Sequence, residues 1–254
     1  MSSDYKIGIL IPSTTNCLDD CNSYKDTLFY KLFLKSFIKT YDKKYRGKDI
    51  LYSIYVVVDD DDKIYSKKEE VDKILSFIKL VNNVSIEFVS SKGIEKGWVT
   101  KMWNRAFKKA YDDNCDYFYQ CGDDIEFLDK EWVIECLKTM EKHYNFGITG
   151  PLDWGREQFN IVHSCSGKFI LTQTFVSRKH MEIFGFYFPE EIKNWFCDDW
   201  ITSVYVVRDK YWKIEKRIFN KGGDPRYTPE GKGEDYKRMT NKCIELVNKY
   251  NSYL

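Results

Sequence analysis

Short apolar segments alternate with amphipathic ones through the first half of the chain. Four segments are rich in β-branched and aromatic residues and end in loop-forming or acidic residues, as buried strands do: KIGILIPSTT (6–15), LYSIYVVVDDDD (51–62), VSIEFV (84–89) and DYFYQCGDD (116–124). Between them, apolar side chains recur every three or four residues and predict helices at 23–41, 71–78 and 102–110. This alternation predicts an α/β fold with a mainly parallel sheet flanked by helices.

The second half of the chain is less regular. It predicts a strand running into a turn at 146–155, a strand and a short helix at 168–185, a helix at 197–207 and a terminal helix at 234–250. Residues 220–233, NKGGDPRYTPEGKG, are rich in glycine and proline and are predicted to form a mobile loop. Because the sequence contains no linker or repeat, we expect residues 1–254 to form a single domain.

Two adjacent carboxylates, Asp123 and Asp124, follow the fourth predicted strand. Neighbouring side chains of a strand point to opposite faces, so both acids can serve one ligand only where the strand ends, and Gly122 permits a bend there. Mn²⁺ and Mg²⁺ prefer oxygen ligands and often combine carboxylates with substrate phosphates. The alternative is a strand-to-helix turn in which one aspartate caps the next helix.

Two further acidic groups follow predicted strands or begin helices. Asp59 and Asp60 end the second strand, where a carboxylate can accept a hydrogen bond from a base or a ribose hydroxyl, whereas Asp61 and Asp62 are predicted to lie in a solvated turn. The pair formed by Asp198 and Asp199 lies between two tryptophans, which can desolvate a carboxyl group and raise its pKa toward that of a general base. The alternative for this pair is a helix N-terminus stabilised by acids.

Composition narrows the classes of protein. The 40 basic and 39 acidic residues nearly cancel, which argues against a nucleic-acid binder. Eight cysteines without paired spacing favour a reducing compartment, the cytoplasm, which would be the host's if the chain is viral. The chain shows neither a signal peptide nor an apolar run of membrane-spanning length, so we expect a soluble protein. The three histidines have no metal-binding spacing and are predicted to be structural.

The order of these motifs resembles that of GT-A-type glycosyltransferases, in particular family-2-like members, over residues 5–205. GILIPSTT is similar to that family's first strand and base-binding loop, VVVDDDD to its second-strand acid, and YQCGDDIEF to its Asp-x-Asp motif. KGWVTKMWNRAFKKA resembles the helix before the metal strand, and FVSRKHMEIFGFYFPE followed by FCDDWI resembles the segment that ends in the catalytic acids.

The resemblance implies a Rossmann-like GT-A fold, with a nucleotide-sugar-binding half at 1–127 and an acceptor-binding half at 128–254 that includes the C-terminal extension. It implies an inverting, metal-dependent transfer from a nucleotide sugar, with UDP as the expected nucleotide, to a hydroxyl of a glycan, protein or small-molecule acceptor. Mn²⁺ or Mg²⁺ would neutralise the departing diphosphate. The oligomeric state stays open.

The resemblance also implies a role for individual residues. Asp199 would be the general base, with Asp198 as the alternative, and Asp124 would bind the metal. The first acid of Asp-x-Asp is Gly122 here, so Asp123 would contact the metal, ribose or water. The remaining donor-side residues are Pro12, Ser13, Thr14, Asp59, Asp60, Lys101, Asn104, Lys221 and Arg226, and Lys221 or Arg226 would close over the diphosphate. Trp154 and Trp195 are candidate sugar platforms, with packing in the core as the alternative.

Two other functions are compatible with the same motifs. A catalytically silent nucleotide-sugar-binding protein would keep the fold, although acids at three element ends argue against it. A polymerase palm also places Gly-Asp-Asp between apolar runs, but it requires a longer chain and a basic channel, which 254 residues of nearly zero net charge do not suggest.

Overall fold

The computed structural model describes residues 4–158, 169–222, 226–231 and 233–252. In these ranges the strands are β1 (Tyr5–Ser13), β2 (Lys44–Tyr45), β3 (Lys48–Val58), β4 (Val84–Ser90), β5 (Tyr117–Gln120), β6 (Ile125–Phe127), β7 (Ile148–Asp153), β8 (Thr174–Ser177) and β9 (Tyr211–Asn220). The helices are α1 (Lys35–Thr40), α2 (Lys68–Ile78), α3 (Val99–Asp112), α4 (Trp132–Lys142), α5 (Trp154–Gln158), α6 (Arg178–Phe184), α7 (Cys197–Val206) and α8 (Gly233–Asn251). A 3-10 turn at Tyr24–Asp26 and a π-helical segment at Phe29–Leu34 precede α1.

The sheet is mixed. β1 pairs in parallel with β3 and β5, and β3 pairs in parallel with β4, as the alternating pattern predicts. Beyond β5 the chain departs from this arrangement, because β8 pairs antiparallel with both β5 and β7, while β9 runs parallel to β7 and antiparallel to β6. The α/β class is confirmed, and the parallel character is confined mainly to the first half of the chain.

The register brings three strand ends to one edge. Ser13 at the end of β1 pairs with Val58 at the end of β3, and Leu10 of β1 pairs with Gln120 at the end of β5. The residues after β1, β3 and β5 therefore leave the sheet side by side. These are the segments that carry the hydroxyls of the first loop, the acids from Asp59 onward, and the Gly-Asp-Asp turn.

Helices cover both faces of the parallel strands. One apolar cluster joins the segment 29–40, α2 and α4 to the sheet through large buried side chains that include Phe29, Phe33, Phe37, Ile74 and Trp132. The opposite cluster joins α3, α7 and α8 through side chains that include Met102, Phe107, Trp200 and Val247. Gly8 in β1 allows α3 to approach closely, because a Cβ atom there would lie 2.8 Å from Cβ of Ala110.

The elements that the sequence did not predict are β2, β6, α4, α5 and β9. The described cysteines are all unpaired, and all except Cys17 are buried. Among the described helices, none is both long and apolar enough to cross a bilayer.

His180 on α6 is a buried hydrogen-bonding residue between α6 and α7. Its Nε2 lies 3.0 Å from the backbone carbonyl of Tyr187 and its Nδ1 lies 2.9 Å from the hydroxyl of Tyr205. A carbonyl only accepts, so Nε2 carries the proton and Nδ1 accepts from the tyrosine. Burial lowers the pKa of His180 to about 4, because the imidazolium would lose its hydration.

We expect this imidazole to make the fold acid-sensitive. Since the folded chain holds His180 neutral, the unfolded chain takes up its proton first as the pH falls, and stability is lost between about pH 6.5 and pH 4. The contribution is roughly 3 kcal/mol over that interval. Urea unfolding of the native protein and of His180→Gln at several pH values measures it. Parallel pH profiles of the two proteins would contradict the expectation.

Candidate active site

A cavity of about 440 Å³ lies beside the carboxyl ends of β1 and β5. Its walls come from the end of β1 (12–14), the turn after β5 (122–124), the start of α7 (197–199) and the C-terminal segment 226–229. The volume lies in the range of small-molecule sites, and the position at the carboxyl ends of parallel strands is where α/β folds bind ligands.

Asp123 is buried below this cavity and neutralised by Arg226. Its side chain is 1% exposed, and its Oδ2 accepts a hydrogen bond of 2.5 Å from the hydroxyl of Ser13. Its Oδ1 lies 2.5 Å from Nη1 of Arg226, in an ion pair. Burial raises the pKa of Asp123 to about 6, against the opposing effect of the Arg226 guanidinium.

Asp124 lines the cavity directly and also faces Arg226. Nη2 of Arg226 donates to Oδ2 of Asp124 at 3.2 Å, so one guanidinium bridges both carboxylates. Two glycines leave room for the carboxylate: a Cβ on Gly122 would lie 2.3 Å from Oδ1, and a Cβ on Gly222 would lie 1.9 Å from Oδ2. The backbone carbonyl of Asp124 accepts from the backbone N–H of Lys221, which fixes the second glycine beside it.

Gly222→Ala is therefore expected to displace the Asp124 carboxylate rather than to unfold the protein. The atom in the way is the end of a side chain, which can rotate, so the melting temperature should change little while ligand affinity at the site falls by about tenfold or more. Gly233→Ala is the matched control, because no atom lies within 4 Å of its Cβ position. Equal ligand affinities in the two variants would contradict this account.

The carboxylate pair fits a cation shared with a ligand. The guanidinium of Arg226 already places positive charge against both carboxylates, 2.5 Å from Oδ1 of Asp123 and 3.2 Å from Oδ2 of Asp124. Over the described ranges, no three His, Cys, Asp or Glu side chains gather around one point. The described residues thus supply a carboxylate pair, and further ligands would have to come from phosphates or water, as Mg²⁺ sites commonly arrange.

The acids after β3 have different environments. Asp59 is buried, and its Oδ2 accepts a hydrogen bond of 2.8 Å from the hydroxyl of Tyr227, which lines the cavity. Asp60 is exposed and accepts from the hydroxyl of Ser90. The prediction that Asp62 lies in a solvated turn is wrong.

The carboxylate of Asp62 holds the β1 loop and its own turn in place. It is fully buried and accepts from the backbone N–H and the hydroxyl of Thr15 at 2.6 and 2.7 Å. It also accepts from the backbone N–H groups of Ile64 and Tyr65 at 2.9 and 2.8 Å. A fifth hydrogen bond comes from the hydroxyl of Thr14 at 3.4 Å. These donors explain the burial of Asp62, since a carboxylate that is well supplied with donors tolerates the loss of water.

The acidic pair at the start of α7 lines the other side of the cavity and is asymmetric. Oδ2 of Asp198 lies 3.2 Å from Nη2 of Arg156, and its Oδ1 accepts the backbone N–H of Asp199 at 3.1 Å. Burial raises the pKa of Asp198, while the Arg156 guanidinium opposes that shift. Across the described residues, no hydrogen bond or ion pair engages the carboxylate of Asp199, which also lines the cavity.

Several predicted site residues lie outside the cavity wall. The amide of Asn104 holds the backbone at 187–188 through three hydrogen bonds of 2.8 to 2.9 Å. Lys101 lies over the ring of Trp98, 4.0 Å from its centroid, and Lys221 pairs with Glu126. Trp154 lies under the guanidinium of Arg217. The roles predicted for these four residues stay predictions.

Trp195 is the exposed aromatic residue at the cavity. It is 53% exposed and lines the cavity next to the acidic pair. Its backbone N–H donates to the carbonyl of Glu230, and Asn194 donates to the carbonyl of Thr228, so the C-terminal segment is tied to this wall. His163, predicted to be structural, lies outside the described residues.

The cavity residues that were not predicted include Gln120, Arg156, Gln173 and Tyr227. Gln120 had a detectable signal, since a lone polar residue at the end of an apolar strand is unusual. Nothing local marks the other three, because segments far apart in sequence bring them to the cavity.

Similarity to known proteins is detectable in the fold but not in the sequence. No protein-family profile and no curated protein sequence matches the chain. Among solved structures, S. aureus TarS 1-349 in complex with UDP is similar with a TM-score of 0.57 and 14% identity, over 95% of this chain and 65% of that one. Another structure of S. aureus TarS 1-349 has a TM-score of 0.58 and 13% identity, over 95% of this chain and 65% of that one. A structure of S. aureus TarS has a TM-score of 0.56 and 14% identity, over 94% of this chain and 39% of that one.

The fold is of the GT-A type. The parallel strands β4-β3-β1-β5, the acidic turn after β5 and the mixed second half occur together in an architecture similar to TarS. The chain spans less than two thirds of the length of these structures, and an identity of 13–14% concerns the fold alone. The fold predicted from the order of the motifs is confirmed.

Proposed function

We propose that this protein is a glycosyltransferase that moves a sugar from a nucleotide sugar, a UDP-sugar, to a hydroxyl group of an acceptor. The observation that carries the proposal is one cavity with acids on two separate sides. Asp124 follows β5, while Asp199 begins α7, and both line the same 440 Å³ space. The UDP bound to the structurally similar TarS supports the choice of nucleotide.

The donor side is formed by the ends of β1, β3 and β5. Pro12, Ser13 and Thr14 form one wall, and Asp59 or Asp60 would accept a hydrogen bond from the base or the ribose. The hydroxyl of Tyr227 donates a hydrogen bond to Asp59. A nucleoside that binds Asp59 must therefore displace this hydroxyl or share the carboxylate with it. A structure with UDP more than a side-chain length from both segments would refute this placement.

Asp124, assisted by Asp123, would hold Mn²⁺ or Mg²⁺ together with the diphosphate, and the ion would supply neutralisation of the leaving group. Arg226 must leave the carboxylates before such an ion binds, since both cations need the same oxygens. The displaced guanidinium is then available to the diphosphate, whose oxygens it can bind bidentately. Arg226 would thereby close the C-terminal segment over the donor.

Asp199 would act as the general base toward the acceptor hydroxyl. Asp198 is held by Arg156 and by a backbone N–H, which keeps its oxygens engaged, whereas Asp199 has no such described partner. A single base opposite the leaving group corresponds to direct displacement with inversion at the anomeric carbon. Trp195, exposed beside this pair, would stack on an acceptor sugar.

Ligand-induced stabilisation tests the proposal. UDP and a panel of UDP-sugars, each with and without Mn²⁺, should raise the free energy of unfolding by about 2.7 kcal/mol at a hundredfold excess over the dissociation constant. GDP and CDP serve as nucleotide controls. Release of UDP in the presence of glycan, peptide and small-molecule acceptors then measures transfer.

The outcomes separate the alternatives. Stabilisation by UDP-sugars with acceptor-dependent UDP release supports a transferase. Stabilisation without release under any acceptor would indicate a silent nucleotide-sugar binder. Equal stabilisation by all nucleotides, or by none, would overturn the proposal.

A further inference from the structure

Two buried glutamines lie in the wall of the cavity between the donor-side and acceptor-side acids. Gln120 is the last residue of β5 and is 2% exposed, and Gln173 precedes β8 and is 3% exposed. Both line the cavity that Asp124 and Asp199 also line. This is where the transferred sugar must lie, since it is bonded to the diphosphate and is attacked by the acceptor.

Each amide oxygen lies beside a threonine hydroxyl. Oε1 of Gln120 accepts from the hydroxyl of Thr174 at 3.3 Å, and that hydroxyl lies 2.8 Å from the hydroxyl of Tyr187. Oε1 of Gln173 accepts from the hydroxyl of Thr172. With each carbonyl oxygen engaged, each NH₂ group is the end left for a ligand, and in the described part of the chain neither donates to a protein acceptor.

An NH₂ group that lines a cavity without a protein acceptor can donate to a ligand, so these two positions favour a ligand that brings hydroxyl or carbonyl oxygens. Small-molecule sites typically combine an apolar wall with a few such polar groups, which fix the orientation of the ligand. A hexose or an N-acetylhexosamine carries suitable oxygens on several carbons.

The charges around the amides disfavour an acidic sugar. Three carboxylates line the cavity, those of Asp124, Asp198 and Asp199. The two arginines that line it, Arg156 and Arg226, already face carboxylates at 3.2 Å or closer. Arg226 is reserved for the diphosphate in the proposed function, so a sugar carboxylate would find repulsion and no cation of its own.

We propose that Gln120 and Gln173 form hydrogen bonds with the hydroxyl or N-acetyl groups of the transferred sugar and make the donor site selective for an uncharged sugar. This inference rests on the proposed function and specifies its donor class. The amides bind the sugar part only, so they should leave the affinity for UDP itself unchanged.

Calorimetric titration in Mn²⁺ tests this with UDP, UDP-glucose, UDP-galactose, UDP-N-acetylglucosamine and UDP-glucuronic acid. At least one neutral UDP-sugar should bind about tenfold or more tightly than UDP-glucuronic acid. Gln120→Glu and Gln173→Glu replace a hydrogen-bond donor by an acceptor. Each should lower the affinity for that neutral UDP-sugar by about tenfold to a hundredfold and the affinity for UDP by less than about twofold.

Gln120→Met and Gln173→Met are uncharged variants of similar shape. They distinguish the effect of the lost hydrogen bond from that of the added charge, and they replace a glutamate variant that fails to fold. They should show the same selective loss. If UDP-glucuronic acid binds as well as the neutral sugars, or if the folded variants lose UDP and UDP-sugar affinity equally, the inference is overturned while the proposed function stands. If UDP does not bind the native protein, the proposed function itself fails.

Discussion

Asp199→Asn is expected to lower the turnover number by about two to four orders of magnitude while the dissociation constant of the UDP-sugar stays nearly unchanged. The acceptor hydroxyl must lose its proton as it attacks the anomeric carbon, and an asparagine cannot take that proton. The donor affinity should survive because the donor-side contacts come from the ends of β1, β3 and β5, on other elements. Single-turnover kinetics together with UDP-sugar titration measure both quantities.

Asp198→Asn provides the control for this substitution. Asp198 shares the helix start but is paired with Arg156, so its replacement should affect acceptor binding or the order of α7 more than the chemical step. If Asp198→Asn loses turnover and Asp199→Asn does not, the roles are reversed. A product that retains the anomeric configuration of the donor would remove the single-base mechanism altogether.

If the protein binds its donor with Mn²⁺ as proposed, Asp124→Asn is expected to abolish the gain in UDP-sugar affinity that Mn²⁺ would give, an effect of about a hundredfold or more, with little change in the fold. An amide is a poor ligand for a hard dication, and it also loses the ion pair with Arg226. The cost to stability should be small, because Asp123 remains to hold the guanidinium. Calorimetric titration of the donor with and without Mn²⁺, and with a chelator, measures the effect.

Asp61→Asn is the matched control, since Asp61 follows β3 at the same edge of the sheet but is exposed and pairs with Lys96. It should retain the full effect of Mn²⁺. An unchanged Mn²⁺-dependent turnover in Asp124→Asn would refute the metal assignment, and an equal loss in both variants would point to general electrostatics of this edge.

Local patterns in the sequence determined the first half of the fold and the location of the site. Strands separated by amphipathic helices pair in parallel, and residues after their carboxyl ends meet at one edge, which placed the loop at 12–14, Asp59 and the Asp123–Asp124 turn together. The acids at the start of α7 were also recognisable, because a helix N-terminus favours them. These features follow from the periodicity and chemistry of short segments.

Only the tertiary structure decided which partners these acids have. Asp62 was predicted to be solvated but accepts five hydrogen bonds, and two of their donors belong to Thr15, 47 residues away. Arg226 reaches Asp124 across 102 residues, and Arg156 meets Asp198 although neither neighbouring sequence indicates the pairing. The antiparallel β8, which places Gln173 at the cavity, also breaks the parallel pattern of the first half. Such contacts depend on how distant segments pack, and local periodicity carries no information about that packing, so the sequence located the acids but could not show what neutralises each of them.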